Sequence, residues 1–254
     1  MLALVVLGLR LDRDDPGSAV QRPPAASTTA APSSPSPIPR PSAARPAPTT
    51  QPRPRPARTP AQLAIGLAAD GSRLPVPVSG SGRFTQARVD DRPAAGAGRV
   101  LRFDLQVERE VPVDADEAAR LVAAVLDDGR SWRGTGGARF QLVAHGEQAD
   151  LRAVIATPKT TDRLCAPLLT RGQVSCQTGE RVVLNARRWV DGAASFGEDR
   201  TNYRRYLVNH EFGHALGHQH VGCPGRGKPA PVMLQQTKGL GGCTANPWPR
   251  RTRG

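Results

Sequence analysis

The chain has 254 residues, 38% hydrophobic but only 4% aromatic, with a formal net charge of +13. Its length allows one or two domains, and the charge does not make it a nucleic-acid binder. That function needs basic residues clustered on a folded face among aromatics, whereas six arginines here lie in one acid-free, aromatic-free stretch and three in the last six residues.

Residues 1–15 begin with nine apolar residues, MLALVVLGL. This length suits a secretory h-region better than a spanning helix, which needs about 20 residues. The basic segment that precedes an h-region is missing, so residues 1–15 are expected to be the remnant of a longer signal or membrane anchor. From Pro16 to Pro60 the chain has 14 prolines and no aromatic, leucine or acidic residue. It cannot bury enough apolar surface to offset the entropy of ordering, and residues 16–70 are expected to form a disordered tether, partly polyproline-like. A domain at 75–249 and a basic tail at 250–254 complete the plan. The excess charge then suits an anionic cell-envelope surface, with plain solubility as the alternative, and the domain is expected to be a monomer.

In the domain, RVLRFDLQVE (99–108) alternates, with Leu101, Phe103, Leu105 and Val107 on one face, as in a half-buried strand. Residues 114–128 start with a capping aspartate and an acidic first turn, then place Ala118, Leu121, Val122 and Val125 at helical spacing. ARFQLVAH and DLRAVIATP read as two strands, the second either buried or able to align an extended peptide along its edge. RVVLNARRWV reads as a further strand. This order predicts an α+β domain with a mostly consecutive sheet.

Cys165, Cys176, Cys223 and Cys243 form an even set in a chain with the marks of export, which favours disulfides over a zinc site lacking any C-x-x-C pair. Of the three pairings, Cys165 with Cys176 and Cys223 with Cys243 is expected, because each pair brackets a Gly-, Pro- or Thr-containing loop.

TNYRRYLVNHEFGHALGH is helix-like and apolar on most sides, with only Arg204 and Arg205 expected to be exposed. Four of the chain's five histidines fall between His210 and His220. Residues four apart share a helical face, so His210 and His214 can offer two imidazoles to one ion. His218 continues the register, but eight positions of straight helix span about 12 Å, too far for a shared ion. Gly217 can take the left-handed conformation that ends a helix, allowing the chain to swing His220 back. Three protein ligands leave a position for water, as at a catalytic zinc, and Glu211 is placed to act as the general base.

His210, Glu211, His214, Gly217 and His220 match H-E-x-x-H-x-x-G-x-x-H, and the chain here resembles the metzincin zinc metallopeptidases, with PVMLQ around Met233 resembling their Met-turn. The segment from Tyr203 to Pro249, with LCAPL, SCQTGERVVLNARRWV and VPVSGSGRF, is also similar to an uncharacterised family of secreted metzincin-like domains from actinobacteria. The resemblance implies a twisted mixed sheet with an active-site helix, a small C-terminal subdomain carrying the Met-turn, and Zn2+ on His210, His214 and His220. It further implies Glu211 as the base and Met233 as an apolar floor. No tyrosine follows Met233, so the tyrosine ligand of some metzincins has no counterpart. His145 reads as a surface or hydrogen-bonded residue, and Trp132, Trp189 and Trp248 as core or lid anchors. The expected function is a secreted or membrane-anchored, extracytoplasmic metalloendopeptidase acting on protein or peptide. The alternatives are a zinc-stabilised envelope-binding module without activity and a hydrolase of peptidoglycan peptides.

Overall fold

The computed structural model describes residues 56–93 and 95–250; the expected signal or anchor segment, the tether up to residue 55 and the tail after Arg250 lie outside them. No helix among the described residues is long and apolar enough to cross a membrane.

Folded structure begins earlier than composition suggests. Thr59 caps helix α1 (Pro60–Ile65): its hydroxyl accepts from the Gln62 amide at 3.2 Å, while the Gln62 side chain accepts from the Thr59 amide at 2.8 Å. The Ala64 carbonyl accepts from the indole of Trp189 at 2.9 Å, fastening α1 to the core. The last part of the 16–70 stretch is therefore a capped, docked element, because Leu63, Ala64 and Ile65 interrupt the Pro/Ser/Thr run just where a cap is available.

Six strands form one mixed sheet: β1 (Phe84–Gln86), β2 (Arg99–Glu108), β3 (Ala138–Leu142), β4 (Leu151–Ala156), β5 (Cys176–Thr178) and β6 (Arg181–Asn185). The order is β1-β2-β4-β6-β5, with β3 also on β2. Strands β2, β3, β4 and β6 are parallel, and β1 and β5 are antiparallel to their neighbours. Phe103 pairs with both Leu142 of β3 and Leu151 of β4, so these two strands occupy opposite edges of β2. The pairings β1–β2, β2–β3 and β5–β6 join strands consecutive in the chain, as expected, while β2–β4 and β4–β6 each skip one. Parallel partners need a crossover, supplied by α2 (Ala115–Asp127) between β2 and β3 and by α3 (Pro158–Cys165) with β5 between β4 and β6. β4 lies between β2 and β6, and an interior strand has no edge to offer a peptide.

Asp114 caps α2 by accepting from the Glu117 amide at 3.0 Å, and Ala118, Ala119, Val122, Val125 and Leu126 turn into the core. At the end of β2, the fully buried Glu108 accepts from the amides of Gly82 and Thr157, each at 2.8 Å, and from the Thr160 hydroxyl at 2.7 Å. These bonds replace its lost hydration and tie the chain before β1 to the start of α3.

Two further expectations change. RVVLNARRWV is strand only to Asn185, whose side chain accepts from the Arg187 amide at 3.0 Å and starts α4 (Ala186–Asp191). Arg204, expected to be exposed, is buried in α5 (Arg200–Ala215), where its guanidinium donates to the carbonyls of Trp189 at 2.6 Å and Val190 at 3.3 Å. Burial lowers its pKa to about 10, which leaves the charge in place at neutral pH. The molecule is thus a mixed α and β domain around a mixed sheet, compatible with the α+β class.

Candidate metal centre

Helix α5 sits against the sheet through Phe212, whose ring meets Phe103 of β2 edge-on at 5.4 Å and Phe140 of β3 at 5.1 Å. It is capped by Asp199, which accepts from the Asn202 amide at 3.0 Å. With Phe212 committed to the sheet, the i, i+4 pair His210 and His214 share another face. The helix ends at Ala215, and Gly217 takes φ +88°, a left-handed value at which a β-carbon is costly. The Gly217 amide bonds the His214 carbonyl at 2.8 Å and the His218 amide bonds the Gly213 carbonyl at 3.0 Å, which closes the helix end.

Beyond that turn the chain brings His220 back. Its Nε2 lies 3.3 Å from Nε2 of His210 and 3.0 Å from Nε2 of His214, and one ligand atom from each ring falls within 4.8 Å of the others. The remaining nitrogens settle the tautomers. His210 Nδ1 lies 2.9 Å from the Val232 carbonyl and His214 Nδ1 lies 2.8 Å from the His218 carbonyl. A carbonyl only accepts, so both Nδ1 atoms carry hydrogen and both Nε2 atoms present lone pairs to His220. His220 can donate to at most one of them, and a cation satisfies all three. Tetrahedral ligands about 2.0–2.1 Å from zinc stand ~3.3 Å apart, which is close to the separations observed. The cluster could hold a metal ion. His218 takes no part through its ring, which stacks on Trp132 at 4.4 Å, and His145 is exposed outside the cluster.

The protonation of these groups follows their burial. Desolvation lowers the pKa of His210 to about 3 and depresses those of His214 and His220, so all three imidazoles are neutral near pH 7. Glu211 is 4% exposed, and desolvation alone raises its pKa to about 8 without a cation beside it. All four side chains line one cavity of about 440 Å³. Ser175, Cys176 and Gln177, at or beside strand β5, form part of its wall, as do Leu168 and Leu169 of the loop before that strand. These leucines are 54% and 82% exposed.

Met233 is buried in a turn closed by the Leu234 amide on the Pro231 carbonyl at 3.0 Å, directly after the carbonyl that holds His210. It presses on α5 at Gly213, where a Cβ would lie 2.6 Å from Met233 Sδ and 2.6 Å from Trp132 Cζ2. Sequence reasoning passed over Gly213, although a glycine inside a helix signals close approach. It also passed over two buried amides, Asn209 and Gln236, and the half-buried Asn246. Asn209 donates to the carbonyls of Arg205 and Pro247, each at 3.0 Å, and accepts from Ser131 at 2.6 Å. Gln236 and Asn246 bond across the Met233 loop: Gln236 Nε2 donates to the Asn246 carbonyl at 2.7 Å, and its Oε1 accepts from the Asn246 amide at 3.0 Å. A buried amide and an exposed one look alike in sequence.

Tyr203 and Tyr206 brace the same loop, the first with its hydroxyl 3.0 Å from the Thr237 hydroxyl and the second donating to the Leu234 carbonyl at 3.1 Å. Burial raises both phenol pKa values, so each keeps its proton. The disulfides are Cys165–Cys176 and Cys223–Cys243 as expected, and each clamps a segment lining the cavity. Trp132, Trp189 and Trp248 are buried.

Residues 70–249 match the model of a family described as "Protein of unknown function (DUF3152)". The chain belongs to that family. The match takes in 180 of 254 residues and every residue of the cluster, and helix α1 lies upstream of it. Neither a curated protein nor a solved structure matches the chain.

Proposed function

We propose that this family member is an extracytoplasmic zinc-dependent metallopeptidase of metzincin type. The observation that carries the proposal is the meeting of three imidazole Nε2 atoms with a buried glutamate in one open cavity. Neutral nitrogen donors at tetrahedral spacing suit zinc, and α5 and the turn around Met233 take the roles of active-site helix and Met-turn. Two disulfides agree with an oxidising, extracytoplasmic setting.

His210, His214 and His220 would hold the ion. Zinc, when bound, supplies Lewis acidity toward a carbonyl and makes water acidic enough to lose a proton near neutral pH. Beside a bound cation the Glu211 carboxyl would titrate below the value that burial alone imposes, so its carboxylate form would be available. Glu211 then accepts the proton of the attacking water on a carboxylate oxygen and returns it to the departing amine nitrogen. Val232 and His218 keep the rings aimed by accepting from Nδ1. A peptide is the substrate that suits this cleft, because β5 is an outer strand of the sheet and borders the cavity, where an extended chain can pair with its backbone.

Zymography on protein substrates and on purified cell wall, with and without a chelator, tests the proposal. Chelator-sensitive clearing of protein supports it, and clearing of cell wall alone moves the substrate to peptidoglycan peptides. Zinc retained without hydrolysis of either would make the domain a binding module.

A further inference from the structure

Lys238 is one of only three lysines in the chain, and its side chain lines the same cavity as the histidine cluster. Among the described residues its ammonium has a single neutral partner, Gln235 Oε1 at 3.3 Å, and joins no ion pair. The chain on either side is held firmly. Gln236 is fully buried and bonded to Asn246, Thr237 meets Tyr203, and the Lys238 amide bonds the Gln235 carbonyl at 2.9 Å. The exposed Lys238 side chain thus projects from a braced stretch of loop.

Elsewhere in the lining, Leu168, Leu169 and Val174 are apolar and Ser175 and Gln177 are neutral, so they offer the ammonium no counter-charge. Of the described residues lining the cavity, only Glu211 carries a carboxyl group, and its side chain is buried on α5. A dication held by the three histidines would make this cleft more positive still, and the Lys238 ammonium in its lining has no carboxylate partner among the described residues.

We propose that Lys238 anchors a carboxylate of the substrate, so that the cleft selects peptides bearing a negative charge near the bond to be cut. This deepens the metallopeptidase proposal and rests on it for the place of the scissile bond. The carboxylate is either an acidic side chain or the chain's own C-terminus. An Nζ donor to a carboxylate gives a charge-assisted bond that glutamine or a terminal amide cannot supply.

The test uses three fluorescent peptides of one apolar sequence: with internal glutamate and an amidated end, with glutamine and a free carboxylate end, and with glutamine and an amidated end. Binding is followed by anisotropy on zinc-loaded full chain carrying Glu211→Gln, so that nothing is consumed, with zinc content measured for every variant. At least one charged peptide should bind about fivefold more tightly than the neutral one, near the upper end for a solvent-open ion pair, and added salt should shrink the gap. The peptide that gains identifies the source of the carboxylate. Lys238→Arg should keep the preference, Lys238→Ala should abolish it and Lys238→Glu should reverse it, all at unchanged zinc content. Equal binding of the three peptides, failure of all three to bind, or a preference that survives Lys238→Ala overturns the proposal. If chain with Glu211 intact cleaves nothing while the discrimination holds, the metallopeptidase proposal fails and the carboxylate anchor stands. If it cleaves charged and neutral peptides equally well, the carboxylate anchor fails and the metallopeptidase proposal stands.

Discussion

His214 is aimed by the backbone of His218: Nδ1 of the first lies 2.8 Å from the carbonyl oxygen of the second, while the His218 ring stacks on Trp132. A side-chain substitution at 218 leaves that carbonyl in place. His218→Ala should therefore weaken zinc binding by less than about 10-fold, whereas His220→Ala removes a ligand and should exceed the roughly 10- to 100-fold loss typical of a partner outside the ligand set. Competition with a metal-sensitive dye gives both constants. Equal losses would place the third ligand at 218.

Glu211→Gln keeps the shape of the side chain and removes its ability to accept a proton from water. Zinc stoichiometry should match the wild type, and turnover of a cleaved peptide should fall by about 10²–10⁴, the range for losing a general base. Metal analysis and steady-state kinetics on one preparation decide this. Activity within tenfold of wild type would remove the assigned role.

The burial shifts predict an unusual pH profile for the metal-free domain. The imidazoles are held below their ordinary value of 6.5, with His210 near 3, so the unfolded chain takes up protons that the folded one refuses. Their stabilising contribution is present above about pH 6.5 and is lost progressively as pH falls from there toward about 3. Glu211 works in the other sense. Raised from 4.5 to about 8, it contributes fully below pH 4.5 and loses that contribution as pH rises through 8. Three groups outweigh one below 6.5, so stability without metal should peak near that pH. Zinc at about 1,000 times its Kd should add about 4 kcal/mol at pH 7, or very roughly 8–16 °C in Tm for a domain of this size. That increment should shrink at pH 5, where protons compete for the ligands. Thermal unfolding with and without chelator at pH 5, 6.5 and 8 checks all three statements.

Some of this architecture is legible in the residues and some is not. The strand Arg99–Glu108 and the capped helix after Asp114 follow from periodicity and a capping aspartate, which are local signals. The crowding of His210, His214 and His220 around one glycine is equally local, since a turn within twelve residues decides where the rings go. Sheet order is different. β2 pairs with β3 and β4 through contacts about 40 to 50 residues apart, and no short pattern encodes which edge a strand will take. Arg204 eluded composition because its partners are the backbone carbonyls of Trp189 and Val190, which any sequence could provide. Lys238 is likewise silent until the Met233 loop folds back and sets it in the lining of the cavity that His220 shares.

The Cys223–Cys243 bridge encloses the segment that carries Val232, Met233 and Lys238. Replacing both cysteines by serine frees a loop of 20 residues, which by chain entropy costs about 3 kcal/mol. The expected fall in Tm is roughly 6–12 °C. Zinc affinity should fall as well, because the Val232 carbonyl that aims His210 lies within the released segment. Calorimetry and zinc titration of the double variant read the two effects separately, and a variant with unchanged zinc affinity would show that Gln236 and Asn246 suffice to hold the loop.

Gly213 provides the sharpest test of packing around the site, because two opposing effects of known size meet there. Alanine favours a helix interior over glycine by about 1 kcal/mol, so Gly213→Ala stabilises α5 considered alone. In the folded domain the new Cβ would lie 2.6 Å from Met233 Sδ and 2.6 Å from a carbon of the Trp132 ring, both inside contact distance. Methionine can shift its sulfur. The tryptophan cannot move as readily, since its indole donates to the Asn209 carbonyl at 2.8 Å and its other side is stacked on His218. Overpacking of this kind costs typically 1–3 kcal/mol, so the clash should win, with a net loss of about 1–2 kcal/mol. Met233 follows Val232, whose carbonyl meets His210 Nδ1, so zinc affinity should drop together with stability. Gly213→Ala raising Tm with zinc binding intact would mean that Met233 and Trp132 do not press on the helix as described.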